Sequence, residues 1–115
     1  LVYAQSSWQY AYPRWKITSS TIVSNGSVSA DGHMMHMFRV SGSGGPITMS
    51  TTSAVGIGFG GQNVMLVGTS DSNTVTVPAS GNMEINGSCT LGNGDTLTVV
   101  YDDVSSVWRE VARSE

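Results

Sequence analysis

The stretch Gly94-Asp95-Thr96-Leu97-Thr98-Val99-Val100-Tyr101-Asp102-Asp103, followed by Trp108-Arg109-Glu110-Val111-Ala112-Arg113, decides the fold class. Side chains of an extended chain alternate with a period of two. Leu97, Val99 and Tyr101 therefore share one side, and Thr96, Thr98 and Val100 the other. Across a polar turn, Trp108, Glu110 and Ala112 alternate with Val107, Arg109, Val111 and Arg113. The pattern is a hairpin of two short strands whose inward side the residues alone do not fix. Asp95 and the Asp102-Asp103 pair sit beside turns, where a carboxylate binds backbone amides. Tyr101 and Trp108 are assigned structural roles, because burying a large aromatic side chain contributes about 2–3 kcal/mol.

Upstream, turn residues cut the chain into further short strands. Lys16 to Val23 is rich in Ile, Thr and Val and ends at Ser24-Asn25-Gly26-Ser27. In His33 to Val40, Met34, His36, Phe38 and Val40 make one apolar side, while His33, Met35, Met37 and Arg39 make the other. Further strands are expected at Ile47 to Ser50, Asn63 to Gly68, Thr74 to Val77 and Met83 to Ile85. Pro78 closes the Thr74 to Val77 strand or places it at an edge, since proline cannot donate a ladder hydrogen bond. Gly56, Gly58, Gly60 and Gly61 mark a loop or a close approach between backbones. The regular spacing of turns predicts an all-β, compact antiparallel β-sandwich or barrel-like domain over residues 16–115. Residues 1–15 form an aromatic arm, in which Trp8, Tyr10 and Tyr12 share one side and Trp15 closes the segment. These four rings either pack on the domain's own core or contact a neighbouring subunit, with a carbohydrate platform as the third reading.

A chain of 115 residues fits one domain. Only 11% of the residues are charged and the net charge is -3, so solubility rests on hydroxyl and amide groups. Five basic residues scattered along an acidic chain make no phosphate-binding stripe, which argues against nucleic acid. No segment reads as a signal peptide or as a membrane span. Because the first residue is Leu1 rather than Met, a processed product or a fragment is expected. The single cysteine, Cys89, forms no intrachain disulfide and is read as a buried or half-buried thiol. Asn25-Gly26-Ser27 and Asn86-Gly87-Ser88 fit the glycan acceptor pattern, but Asn-Gly is also a favoured turn pair, and the turn reading is preferred.

No catalytic constellation emerges. His33 and His36 lie three apart, which places them on opposite sides of a strand, and no nearby Cys, Asp or Glu repeats a metal-ligand spacing. Only a symmetric oligomer would gather such histidines around an axis. No serine stands in a Gly-x-Ser-x-Gly elbow, and the Gly56 to Gly61 run lacks the lysine of a phosphate loop. The residues therefore point to no enzyme, no cofactor and no metal.

From Val64 to Val77, from Leu91 to Asp102, and through Trp108 to Arg113, the chain resembles small β-structured modules of tailed-bacteriophage virion proteins: head decoration, head-fibre and tail-associated fibre proteins. The stretch 28–50 extends the resemblance, whereas the His- and Met-rich Gly32 to Phe38 departs from it. What the resemblance implies is a noncatalytic virion component, assembled as a homotrimer, on the exterior of the capsid or on a fibre or tail. Its partners would be the major capsid protein or another virion protein. Capsid decoration stands narrowly ahead of a tail or fibre knob that binds a host-surface glycan through the aromatic arm. No nucleic acid and no membrane insertion is implied.

Overall fold

The computed structural model describes residues 15–115, which form nine strands and no helix. They are β1 (Trp15–Ile22), β2 (Met35–Gly42), β3 (Ile47–Thr48), β4 (Asn63–Gly68), β5 (Val75–Val77), β6 (Met83–Glu84), β7 (Cys89–Leu91), β8 (Thr96–Asp102) and β9 (Val107–Ser114). A six-stranded sheet runs in the order β1-β2-β4-β8-β9-β6, and a three-stranded sheet in the order β3-β5-β7. The all-β expectation thus describes the fold.

The connectivity corrects the antiparallel expectation. β1 pairs with β2 and β2 with β4 in parallel, with Trp15, Met35 and Asn63 in register. β3 and β5 are also parallel, and Val28 bridges Val55 in the same sense. The chain therefore winds: each circuit lays its first strand beside that of the circuit before, and the later positions stack likewise. Antiparallel pairing begins only where the path reverses, at β4–β8, β5–β7 and β8–β9. Turn spacing reports where a chain bends but not whether it returns beside its neighbour or one circuit later, and so it carries no sign of the parallel half.

Within the sheet, alternation places Phe38 and Val40 of β2, Val64 and Leu66 of β4, and Leu97, Val99 and Tyr101 of β8 on one inner face. Val75 and Val77 of β5 with Cys89 and Leu91 of β7 supply the second wall, and Met49, Ala54, Val55 and Met83 fill the space between. Strand β7 has no counterpart in the sequence pattern, because Cys-Thr-Leu between Gly-Ser and Gly-Asn is too short to show a period. Asn25 takes a left-handed φ of 63°, and the amide of Gly26 donates to the carbonyl of Val23 at 2.9 Å, which makes a turn of Asn25-Gly26.

The final hairpin is the best-anchored part. Trp108 is fully buried and meets the Tyr101 ring edge-on at 4.9 Å. Its Nε1 donates to the Gly56 carbonyl at 2.9 Å, and a Cβ added at Gly58 would fall 2.7 Å from the indole Cζ2. The glycine loop thus closes over this ring. A side chain at position 58 would collide with it.

Candidate functional site

The first half of strand β1 has its polarity reversed, whereas Ile22 at its end is buried in the core. Lys16, Thr18 and Ser20 face the inner side, in register with His36, Phe38 and Val40, whereas Trp15 and Ile17 face outward with 79% and 64% exposure. In a strand on a domain core the apolar set points inward. Here the inner side of β1 instead meets a polar cluster.

That cluster gathers residues that the sequence leaves apart. The Lys16 ammonium pairs with Asp31 at 3.0 Å, the other Asp31 carboxylate oxygen contacts the His33 ring, and His36 Nδ1 lies 3.9 Å from that same oxygen. Thr18 Oγ1 and His36 Nε2 are hydrogen-bonded at 3.0 Å. The His36 ring stacks on Phe38 at 3.9 Å, and the two histidine rings approach edge-on at 6.1 Å. The expected placement of His33 and His36 on opposite sides is corrected: β2 begins at Met35, so His33 lies in the preceding loop and escapes strand alternation.

Gln62, fully buried, holds the loop in place. Its Nε2 donates to the carbonyls of Asp31 and His33 at 2.7 and 2.8 Å, and its Oε1 accepts from the Phe59 amide at 3.3 Å. Hydrogen bonds from His33 and Lys16 hold the Asp31 carboxyl far below the usual carboxylate range. Burial pushes the His36 imidazole toward its neutral form, so its pKa lies below the ordinary value. Its Nδ1 has no hydrogen-bond partner among the described residues. Among those residues no group of three or more His, Cys, Asp or Glu side chains is arranged to hold a metal ion.

On the outer face of the six-stranded sheet, the register aligns Trp15, Met35, Asn63 and Val100 in one row and Ile17, Met37, Met65, Thr98 and Ala112 in the next. Ser19, Arg39, Val67 and Thr96 make the third. Its apolar residues, Trp15, Ile17, Met35, Met37, Met65 and Val67, lie on three adjacent strands, β1, β2 and β4, with Ser19, Arg39 and Asn63 among them. Arg109 at its far side is paired with Asp102 at 2.8 Å.

Of the residues singled out in the sequence, Trp15 stands on this face, one strand from Met35. Trp8, Tyr10 and Tyr12 lie outside the described residues. Asp95 accepts the Gly92 amide at 2.8 Å in the turn before β8, and Tyr101 and Trp108 lie in the core. Asp102 accepts the amides of Val104 and Ser105 and the Arg109 guanidinium, which together lower its pKa, the guanidinium most. Asp31 and Gln62 carry no mark in the sequence that sets them apart. One follows a turn and the other ends a loop, and no periodic signal announces a contact made by a loop. Met35, Met37 and Met65 join one patch only through strand pairing, which no single strand displays.

No protein-family model matches this sequence, nor does any curated protein. Among solved structures, a chain in one described as "Structure of a chaperone-substrate complex" is similar over 83% of this chain, with a TM-score of 0.57 and 14% identity. This chain spans 17% of the length of that one. At such an identity the likeness concerns the fold, and it agrees with a sheet-rich architecture that can stand within a much longer chain.

Proposed function

We propose that this chain is a noncatalytic structural module of a tailed-phage virion that works on the virion exterior as a symmetric trimer. The observation that carries the reading is the parallel stacking of β1, β2 and β4, followed at the end of the chain by the antiparallel β8–β9 hairpin, whose far strand pairs in parallel with β6. A wound chain of this kind grows by adding circuits along one direction, and an antiparallel hairpin ends it. Such a unit suits the end of a fibre or a knob, which favours the fibre address over capsid decoration. The two sheets around one core supply a sandwich-like body for it.

Trp15 weighs against the glycan alternative. A sugar platform sets an exposed ring beside hydrogen-bonding groups, whereas Trp15 stands next to Met35 and shares its face with Ile17. These neighbours favour protein contact.

Cryo-electron microscopy of the virion with this protein located in the density tests the proposal. Density at a fibre or tail tip is the expected result. Density at capsid capsomers or threefold positions returns the role to decoration, and absence from the particle overturns the reading.

A further inference from the structure

We infer that the first half of β1, residues 15–19, is a pH-sensitive strap: when His36 takes up a proton, this segment lifts off β2 while Ile22 stays anchored. β1 is the outermost strand of the six-stranded sheet, and β2 is its one strand partner among the described residues. The first half adds almost no apolar burial to that pairing, because Trp15 and Ile17 face outward and are largely exposed. On the inner side its ties are polar, Lys16 to Asp31 at 3.0 Å and Thr18 to the His36 ring at 3.0 Å. An ion pair as exposed as that of Lys16 contributes little. Ile22, by contrast, lies in the core, and its carbonyl accepts the Ser43 amide at 2.9 Å. The strand is weakly held at one end and fixed at the other.

The trigger lies beside that segment. His36 is only 3% exposed, stands in register with Lys16, and stacks its ring on Phe38 at 3.9 Å. Nε2 is bonded to Thr18, whereas Nδ1 has no hydrogen-bond partner among the described residues. A neutral imidazole carries one N–H, but an imidazolium carries two and needs an acceptor for each. The charged and titratable groups facing the ring are Lys16 from β1 and Asp31 and His33 from the loop. Phe38 on its own strand and Val64, in register on β4, are neutral. Asp31 Oδ1 lies 3.9 Å from Nδ1, but it already contacts His33, and the other oxygen of that carboxylate holds Lys16.

A charged His36 has two ways to satisfy its Nδ1–H. Drawing Asp31 in means closing 3.9 Å to hydrogen-bonding distance, a shift of about 1 Å. That shift pulls the carboxylate from His33 and Lys16, in a loop whose Asp31 and His33 carbonyls the buried Gln62 amide fixes at 2.7 and 2.8 Å. It also leaves the Lys16 ammonium close to a new positive charge. Lifting residues 15–19 instead takes Lys16 away, admits water to the ring and breaks only edge pairing and exposed contacts, so this route is the easier. Burial holds the His36 pKa below its ordinary value of 6.5; Asp31 pulls the other way, and Lys16 and His33 reinforce burial. With the strap lifted the ring is solvated and binds the proton more readily. The lifted share therefore rises as pH falls below that value, by up to about tenfold per pH unit.

Hydrogen–deuterium exchange of the full chain tests the strap, read by mass spectrometry from about pH 7.5 to 5 and corrected for the intrinsic pH dependence of exchange. In the wild type, residues 15–19 are expected to exchange through a smaller opening than β8, with protection that falls by up to about tenfold per pH unit. Global unfolding also exposes His36, so β8 declines in parallel yet stays far better protected at every pH. In His36→Leu, which cannot take the proton, protection of residues 15–19 is expected to be level across the range. Protection of residues 15–19 equal to that of β8 throughout means that only global unfolding frees them, and overturns the proposal. A local opening that does not change with pH overturns it too. So does one that tightens on acidification, which is the sign that Asp31 captures the charged ring. These outcomes are read in the wild type alone, and the proposal stays falsifiable if His36→Leu does not fold.

Discussion

The indole Nε1 of Trp108 donates to the carbonyl of Gly56 at 2.9 Å, tying the last strand to a loop fifty-two residues earlier in the chain. Through this bond and the ring's contact with Tyr101, one side chain joins β9, β8 and the glycine loop. Trp108→Phe keeps an aromatic ring but leaves the Gly56 carbonyl unpaired and a void beside it, which costs about 2–4 kcal/mol. Gly58→Ala presses a methyl group against the indole and costs about 1–3 kcal/mol. Urea titrations followed by tryptophan fluorescence and circular dichroism would show both midpoints lowered; an unchanged midpoint for Gly58→Ala would mean that the loop does not close on the ring.

Gln62 is a second such tie. Its amide nitrogen holds the Asp31 and His33 carbonyls while its oxygen accepts, a combination that only a neutral amide side chain supplies. Gln62→Glu is nearly isosteric yet replaces both donors by acceptors, and Gln62→Leu removes them. Each is expected to destabilise by about 2–4 kcal/mol, with Glu the worse, since it sets a buried carboxylate against two carbonyl oxygens. Thermal melts of the pair would check the order.

Stability should fall as the solution is acidified, in two windows with different causes. Burial lowers the pKa of His36, so below its ordinary value of 6.5 the unfolded chain takes up a proton that the folded chain refuses. The unfolded state binds more protons there, and stability declines as pH falls from about 7 through 5. The lowered carboxyl of Asp31, which is paired with His33 and Lys16, adds its own loss only below its ordinary value of 3.8. That second loss is small, because Asp31 is solvent-exposed and its pairs are screened. In His36→Leu the slope between pH 7 and 5 should flatten while the loss at lower pH persists. Denaturant midpoints measured across this range would distinguish the two.

Cys89 is fully buried at the start of β7, and burial pushes its thiol up to about 11. The reactive thiolate is therefore scarce at neutral pH and shielded when present. Labelling by a chromogenic disulfide reagent should be slow in the folded protein and rapid in denaturant, so its rate reports unfolding. Fast labelling under native conditions would place β7 in an opening segment instead.

Local pattern makes the strands legible. The bounds of Asn63 to Gly68 agree between sequence and structure because its apolar residues alternate between two clear stops, and the β8–β9 hairpin is legible because Leu97, Val99 and Tyr101 fall on one side. At β2 the limits differ by two residues at each end: His33 and Met34 resemble strand residues in composition, but Gln62 binds the His33 carbonyl and holds that segment as a loop. Of the polar cluster, only the two histidines stand out in the sequence, and alternation misplaces them because it does not extend beyond the end of a strand.

By itself, the sequence determined that the chain is built of short strands with low surface charge, since period-two alternation and turn residues act over a few neighbouring positions. Which strands lie side by side, and in which direction, was decided by the tertiary structure alone. Parallel pairing of β1, β2 and β4 brings together residues a full circuit apart, and only that pairing turns Ile17, Met37 and Met65 into one row and sets Trp15 and Ile17 of β1 facing away from the core that Ile22 of the same strand enters. The physical reason is that pairing is governed by backbone groups, which every residue carries alike, and by burial that exists only once the chain has closed.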